Sequence, residues 1–287
     1  MRDKWIQWTL FIALCLIWGS SFILMKISKD ALSGTQIAAL RIFSASLVLL
    51  PFAVLHLRHV SARQLPLLFV TGLFGNLLPA ILYATAIAHN LDSSLAGILN
   101  SLTPLCVILL GVLVFGDHTY KNQVLGVLTG FAGLCLLMLR DHVHLDNLIY
   151  GSLILVATLS YGININLVSH YLPSLRPVHV ATISVSLMAL PAGLLLAWEG
   201  FFQLPMGDPV IRQAAGAACL LGFGGTAVAT LLFYMLIKRG GGLFASLVAY
   251  GIPLVAVWWG VIYGEAVGWY TVTCLGIILA GVYLARK

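Results

Sequence analysis

Residues 96–105 read Ala-Gly-Ile-Leu-Asn-Ser-Leu-Thr-Pro-Leu, and residues 245–254 read Ala-Ser-Leu-Val-Ala-Tyr-Gly-Ile-Pro-Leu. The two stretches place Pro104 and Pro253 at an offset of 149 residues. An aromatic-Gly-acid step follows each of them, at residues 115–117 and 263–265, with an offset of 148 residues. Chance similarity between apolar stretches is common, but a proline and an acidic turn at matched offsets indicate an internal duplication.

The composition around these stretches is that of a membrane protein. Apolar residues make up 61% of the 287 residues, charged residues only 8%, and the mean hydropathy is +1.03. A soluble domain carries about 25% charged residues, because its exterior must be hydrated. The composition therefore excludes a soluble enzyme and a disordered chain. A nucleic-acid-binding module is also excluded, because the basic residues are not clustered. The five cysteines are interpreted as buried apolar residues.

The apolar runs have the length that a helix needs to cross a bilayer, which is about 20 residues. We predict an all-α, polytopic membrane protein with ten transmembrane helices. The predicted helices, named segments 1 to 10, cover residues 5–25, 34–55, 65–88, 92–115, 120–139, 147–170, 177–198, 212–236, 243–263 and 266–285. With ten helices both termini lie on one side of the membrane. That side carries ten basic residues against four on the other, so both termini are predicted to be cytoplasmic, in a bacterial inner membrane.

The duplication divides the segments into two repeats, predicted as residues 1–141 and 142–287. Each repeat holds five segments, an odd number, so the second repeat must enter the membrane inverted relative to the first. Inverted repeats with a site near the midplane are typical of secondary transporters. Alternating access uses this symmetry, because exchanging the conformations of the two halves converts an inward-open state into an outward-open one.

Several short motifs appear in a fixed order along the chain. They are residues 17–22 (Ile-Trp-Gly-Ser-Ser-Phe) with Lys26 one turn later, residues 41–43 (Arg-Ile-Phe), residues 86–91 (Ala-Ile-Ala-His-Asn-Leu), and the Gly-Glu step at 264–265, which reads Gly-Asp at 116–117. In these motifs the chain resembles the EamA family of the drug/metabolite transporter superfamily, over nearly its whole length. The resemblance implies a substrate pathway between the repeats, lined mainly by segments 1–4 and 6–9. It also implies export or exchange of small organic solutes such as amino acids or related metabolites. One departure is Ser-Tyr-Gly at 160–162, where the Trp-Gly step of segment 1 is not repeated.

Arg41 lies about two turns inside segment 2. A charge at this depth is costly and usually faces the protein interior or a water-filled cavity. Its helical face is small and partly polar, because its neighbours three and four residues away are Ile37, Ala38, Ser44 and Ala45. One interpretation is an anchor for a substrate carboxylate or phosphate. The other is an arginine that bonds to the carbonyls of a broken helix or snorkels to the interface.

Two prolines are expected to break helices inside the bilayer, since proline cannot bond to the carbonyl four residues earlier. For Pro104 this carbonyl belongs to Asn100. For Pro253 it belongs to Ala249, beside Tyr250. Broken backbone is tolerated at membrane depth where it is buried or lines a water-filled cavity. We therefore predict that Asn100 and Tyr250 border one central cavity, although bending of the helices for packing would also explain the prolines.

Segments 1 and 6 supply further candidates. Tyr161 and Asn164 lie one turn apart on one face of segment 6, where hydrogen bonding between helices would also account for them. Trp18 is suited to stacking on an aromatic or cationic solute, or to filling the interface between the halves.

The last candidates come from segments 3 and 8. Tyr234 ends a stripe with Thr226 and Thr230 that favours helix packing over ligand contact, and Tyr83, on one face with Asn76, is interpreted in the same way. The predicted substrate-binding residues are thus Trp18, Arg41, Tyr83, Asn100, Tyr161, Asn164, Tyr234 and Tyr250.

Residues at the ends and contact faces of the segments are interpreted as structural. Asp117 and Glu265 are expected to cap the helix that follows each of them. Gly126 and Gly130 form a Gly-x-x-x-Gly pattern that permits close helix contact, within one chain or across a dimer.

No Asp or Glu lies at mid-membrane depth in any segment. Proton-coupled pumps and exporters of cations usually carry one there, so the expected partners are a zwitterionic or anionic small molecule and the lipid bilayer. No cofactor, metal or nucleic acid is predicted, and the driving force and the choice between monomer and dimer stay open. The alternatives are a lipid-modifying membrane enzyme, which needs a converging catalytic set, and a channel, which needs a ring of charges or carbonyls.

Overall fold

A computed structural model describes residues 2–29, 31–89, 99–139, 148–262 and 268–285. These residues form helices joined by short turns, and no strand occurs among them, so the predicted all-α class is confirmed. The Tyr-Gly-Glu step at 263–265 lies outside the described residues. So do residues 90–98, which include the end of the 86–91 motif and the start of the 96–105 stretch.

The helices follow the predicted segments closely. Segments 1 and 2 are the helices Arg2–Lys29 and Gly34–Leu57. Segments 4, 5, 6 and 10 contain Thr103–Phe115, Lys121–Leu139, Leu148–Tyr171 and Trp269–Ala285. Several segments are interrupted within the described residues. Segments 3 and 8 each contain a π-helical turn: Leu73–Leu77, between Leu65–Gly72 and Leu78–Ala88, and Gly222–Val228, between Pro209–Leu221 and Ala229–Gly240. Segment 7 divides into Pro177–Ser186 and Ala189–Trp198, segment 9 divides into Gly242–Ser246 and Val248–Ile262, and segment 4 has a turn at residues 101–102 before Thr103–Phe115. Two 3₁₀ turns, Ala62–Gln64 and Phe201–Gln203, lie in the connections.

Five helical stretches among the described residues are long and apolar enough to cross a membrane. They are Gly34–Leu57, Ala62–Ala86, Ile149–Tyr171, Pro177–Trp198 and Pro209–Gly240. Shorter apolar helices are Thr103–Phe115, Gly242–Ile252 and Trp269–Ala285. The chain is therefore a multi-pass membrane protein.

Helix ends carry the expected capping chemistry in several places. Ser33 begins segment 2 with a capping box, in which its hydroxyl accepts from the Gln36 N–H and the Gln36 side chain accepts from the Ser33 N–H. Asp208 accepts from the N–H of Val210 at the start of segment 8.

The expected cap at Asp117 is wrong. Gly116 ends the helix of segment 4 at a φ of 70°, and the N–H of Asp117 turns back to the carbonyl of Gly111. The Asp117 carboxylate bonds to His170 instead, while the side chain of Gln123 accepts from the N–H of Tyr120 before segment 5. The carboxylate therefore contacts a histidine on segment 6 rather than a helix N-terminus.

The two π-helical turns occur at matched positions in the repeats. Leu73 and Gly222, where they begin, are 149 residues apart. This is the offset that separates Pro104 from Pro253. A π-helical turn widens the helix locally and often marks a functional site. The duplication is therefore visible in backbone geometry as well as in sequence.

Glycines bring the two repeats into close contact. A Cβ on Gly222 of segment 8 would strike the Arg41 carbonyl of segment 2, and one on Gly72 of segment 3 would strike the Ser184 carbonyl of segment 7. Segments 5 and 10 also pack directly, with Gly130 against Gly281. The Gly126 and Gly130 pattern thus serves a contact within one chain.

Candidate functional site

Arg41 is held by the π-helical turn of segment 8. Its Nε donates to the hydroxyl of Thr226 at 2.7 Å, and its Nη2 donates to the carbonyl of Gly225 at 3.1 Å. In a π-helical turn the backbone hydrogen bonds join residues five apart instead of four. The irregular backbone can therefore offer groups such as these to a neighbouring helix. A cation of the first repeat is therefore fixed to irregular backbone of the second.

Trp18 shares this carbonyl with Arg41. Its indole Nε1 donates to the Gly225 oxygen at 2.9 Å, and its ring lies 5.4 Å from that of Phe233. Segments 1 and 2 thus converge on one atom of segment 8. A movement of the π-helical turn would change both bonds together.

The charge of Arg41 is not neutralised by the described side chains. The ion pair found among them joins His170 and Asp117, and none involves Arg41. A guanidinium has five N–H groups, and the two bonds above use two of them. Arg41 also keeps partial exposure although it is bonded to a helix of the opposite repeat. The arrangement can accept a carboxylate or phosphate, which a guanidinium binds through paired N–H groups.

Tyr161 stands near the guanidinium, and Tyr83 stands near Tyr161. The Tyr161 hydroxyl interacts electrostatically with Arg41 and with the hydroxyl of Tyr83. Both rings are half-buried, and the Tyr83 hydroxyl has no hydrogen-bond partner among the described residues. The structure therefore brings Trp18, Arg41, Tyr83 and Tyr161 into one region at the contact between the repeats.

Asn164 and Tyr234 belong to a second polar cluster, between segments 3, 6 and 8. The hydroxyl of Thr230 donates to Oδ1 of Asn76 at 3.1 Å. Tyr234 is flanked by Asn76 and Asn164, but its hydroxyl and the Asn164 Oδ1 have no hydrogen-bond partner among the residues that the structure describes. All four of these side chains are at most 9% exposed. The cluster is therefore closed to solvent and connects segments 3, 6 and 8.

The contacts of Tyr250 and Asn100 are with residues outside the Arg41 region and outside the second polar cluster. The Tyr250 ring packs on Gly130, and its hydroxyl donates to the carbonyl of Val127 at 2.8 Å, with no exposed surface. The carbonyl of Asn100 accepts from the Thr103 hydroxyl at 2.6 Å. These contacts do not join the two residues, and their assignment to one cavity stays a prediction.

The two prolines sit in different local structures. The helix of segment 4 begins at Thr103, which puts Pro104 in its first turn, where a missing N–H costs nothing. Pro253 lies inside the helix Val248–Ile262, which continues past it, and the interruption of segment 9 is at Leu247. Neighbouring helices can support such a proline within a membrane.

Sequence reasoning missed the role of Gly225. A signal existed, because Phe74-Gly75 and Phe223-Gly224 are repeated at the 149-residue offset, inside the two π-helical turns. The sequence pattern places Thr226 only in a helix-packing stripe, whereas in the structure its hydroxyl accepts a hydrogen bond from Arg41.

The bond between Thr226 and Arg41 gives a first testable expectation. Thr226 is 1% exposed, so Thr226→Val leaves a buried guanidinium N–H without an acceptor, which costs about 1–3 kcal/mol. Thr226→Ser keeps the oxygen and should stay within about 1 kcal/mol of the wild type. Thermal unfolding in detergent measures both variants. Equal losses for Val and Ser would show that the hydroxyl does not support Arg41.

Known proteins provide an independent comparison. The EamA-like transporter family matches residues 5–139 and 148–286. An uncharacterized transporter of Archaeoglobus fulgidus is 24% identical over 286 residues, which cover 99% of both chains. The uncharacterized inner membrane transporter YedA of Escherichia coli K12 is 28% identical, over 95% of this chain and 88% of its own.

A solved crystal structure shares the fold. It superposes with a TM-score of 0.73 at 20% identity, over 99% of this chain and 97% of that one. The two stretches that match the family correspond to the duplication seen in the sequence and in the positions of the π-helical turns. The chain is a membrane transporter that belongs to the EamA-like transporter family.

Proposed function

We propose that the protein is a secondary transporter that exchanges or exports small zwitterionic or anionic organic solutes by alternating access. The observation that carries this proposal is the Arg41 guanidinium, bonded to Gly225 and Thr226 but paired with no described carboxylate. An uncompensated cation between two repeats favours a solute that brings a negative group.

The surrounding side chains narrow the solute class. Trp18 and Tyr161 place aromatic rings beside the cation, and Tyr83 adds a ring and a hydroxyl group next to Tyr161. Such a lining suits a compact molecule with a carboxylate and an apolar or aromatic body, since aromatic rings combine apolar area with a polar tip. Amino acids and related metabolites meet this description.

The proposed topology has ten helices in two inverted repeats, with both termini in the cytoplasm of a bacterial cell. Support comes from the matched π-helical turns at Leu73–Leu77 and Gly222–Val228 and from the excess of basic residues on the side of the termini. In this topology the wide turns lie in equivalent helices of the two halves. Each can bend its helix when one half rocks against the other, which changes the bonds that Gly225 makes to Trp18 and Arg41.

Solute counterflow in proteoliposomes tests this function. Vesicles are preloaded with one member of a panel of amino acids, organic anions, nucleobases or amines, and uptake of the labelled member is followed. We expect saturable exchange for at least one solute with a carboxylate, above empty vesicles, and none for the simple amines. Exchange of amines alone would overturn the proposed solute class. Single-channel current steps in a planar bilayer would overturn the carrier mechanism.

A further inference from the structure

Three histidines lie in contact where segment 2 ends and segment 7 begins. His56 and His59 belong to the end of segment 2 and the turn after it, and His179 belongs to the first turn of segment 7. The His179 ring centroid lies 4.8 Å from each of the other two, and this ring stacks on His59 at an interplanar angle of 20°. We name these three residues the histidine cluster. In the topology proposed above, on which this inference rests, the cluster faces the cytoplasm.

The arrangement of the histidine cluster favours neutral rings. His179 is only 7% exposed, so a positive charge on its ring is costly to bury. The proton of neutral His56 is on Nδ1, because the Thr182 hydroxyl donates its hydrogen to the carbonyl of Val178 and its oxygen accepts from Nδ1 at 3.0 Å. A further proton on His56 therefore enters at Nε2. The His59 side chain is exposed, so water can deliver protons to the cluster.

The charged groups that act on the histidine cluster are positive. Among the described residues they are Arg58 in the turn after segment 2, Arg176 before segment 7 and Lys238 near the end of segment 8. The ion pair found among the described side chains lies elsewhere, so no described carboxylate forms an ion pair with a ring of the cluster. Like charges close together repel. Protons on two of these rings therefore push segment 2 of the first repeat away from segment 7 of the second.

The histidine cluster lies at one end of a helix pair that crosses closely at its middle. Segments 2 and 7 occupy equivalent places in the two repeats, and the Ser46 hydroxyl of one lies 2.6 Å from the Val185 carbonyl oxygen of the other. At the opposite end, Nε2 of Gln36 donates to the carbonyl of Glu199 at 3.0 Å. Gln36 and His56 are each ten residues from Ser46, which is about 15 Å along a helix. Rocking about the crossing can therefore separate one end while the other stays joined.

We propose that the histidine cluster is a cytoplasmic proton sensor that regulates alternating access. Neutral rings hold the cytoplasmic ends of segments 2 and 7 together. When protons from cytoplasmic water bind to the rings, the rings repel one another and these ends separate. The protons enter from the cytoplasm and return to it. They therefore set how often the protein opens on that side and supply no energy for transport.

The separation of the two helix ends can be measured without any solute. Spin labels are placed on Leu57→Cys and Ser174→Cys, both at exposed positions, after the five native cysteines have been replaced by alanine. Pulsed electron paramagnetic resonance of the full-length protein in nanodiscs then gives the distance between the labels. On lowering the pH from 8 to 5, through the ordinary histidine pKa of about 6.5, we expect a population with a longer distance to grow. Repulsion between two unit charges 4.8 Å apart gives a factor of about four even in bulk water.

Variants of the histidine cluster test whether its protons cause the change. His179→Gln should abolish the response to pH, since it removes the ring that contacts both others, and His59→Gln should reduce it. If His179→Gln does not fold, His56→Gln takes its place. His118→Gln changes an exposed histidine outside the cluster, and this matched control should respond like the wild type. A wild-type distance that does not depend on pH overturns the proposal, and so does a full response in His179→Gln.

Counterflow with the same pH on both sides of the vesicle membrane links the sensor to transport. For the panel solute that exchanges best, we expect the wild-type rate to change by about fourfold or more between pH 8 and pH 5, and the His179→Gln rate to change much less. Equal pH dependence in both proteins overturns the regulatory role but leaves the proposed transport function standing. Absence of counterflow at every pH refutes the transport function, and the label distances then decide separately whether the cluster responds to protons.

Discussion

Arg41→Ala should abolish counterflow of carboxylate-bearing solutes. Two N–H groups of Arg41 are bound to segment 8, and a solute carboxylate would bond to the other three, for which no acceptor is found among the described residues. A hydrogen bond to a charged group contributes about 1.5–3 kcal/mol. Loss of a paired contact to a carboxylate therefore amounts to about 3 kcal/mol or more, which corresponds to roughly a 100-fold weaker interaction. The measurement is the concentration of tracer that gives half-maximal exchange, together with the maximal rate.

Arg41→Lys separates the charge from the geometry. Lysine keeps the positive charge but lacks the planar fork, so it cannot bond to Thr226 and Gly225 and still present paired donors to a carboxylate. We expect a loss nearly as large as for alanine. Arg63→Ala, at an exposed position, is the matched control and should exchange normally. Survival of exchange within about threefold in a folded Arg41→Ala protein would assign Arg41 to holding the π-helical turn alone.

The depth of Arg41 could be predicted from hydropathy, but its partner could not. Gly225 is 184 residues away in the chain, and the bond depends on how segment 2 packs against segment 8. Hydropathy reports that a helix crosses the bilayer and says little about which face meets which neighbour. Of the two interpretations of Arg41 made from the sequence, the bond to a carbonyl of irregular backbone is seen in the structure, and the substrate anchor stays a prediction.

Matched sequence did not give matched local structure at the two prolines. Pro104 lies in the first turn of a helix, and Pro253 lies within one, although the residues around them are similar. The π-helical turns show the reverse: their local structure and position match, although their sequences share only a Phe-Gly step. The conformation of a proline or glycine inside a membrane helix is decided by what the neighbouring helices supply. A single sequence therefore predicts where a helix is irregular, but not whether the irregularity is a helix end, a π-helical turn or a continuous helix.

The error at Asp117 has a similar cause. A carboxylate before a helix is usually a cap, and this rule considers only the local chain. The 2.8 Å contact with His170 crosses 53 residues and both repeats. Motifs in the sequence were enough to indicate the protein family, whereas the contact between Asp117 and His170 depends on how the helices pack.

Gly281→Ala should strongly destabilise the packing of segments 5 and 10. A Cβ there would meet the backbone nitrogen and Cα of Gly130 and the carbonyl oxygen of Gly126, the last two at 2.6 Å and 2.7 Å. All three partners are backbone atoms, so no side-chain rotation relieves the clash and the helices must separate. Overpacking typically costs about 1–3 kcal/mol, and we expect the upper end of that range. Thermal unfolding followed by tryptophan fluorescence in detergent measures it.

Gly276→Ala on the same helix is the matched control for Gly281→Ala. Nothing lies within 4 Å of a Cβ at position 276, so this substitution adds a methyl group without a clash. It should raise stability slightly, since alanine is favoured over glycine in a helix by about 1 kcal/mol. Both variants share this gain, and their difference therefore isolates the contact with segment 5. Because membrane helices associate through close packing of small residues rather than through exclusion of water, a small difference would mean that segments 5 and 10 are held together by other contacts. A large difference, with counterflow lost in Gly281→Ala alone, would show that this glycine contact keeps the two repeats joined while the rest of the molecule moves.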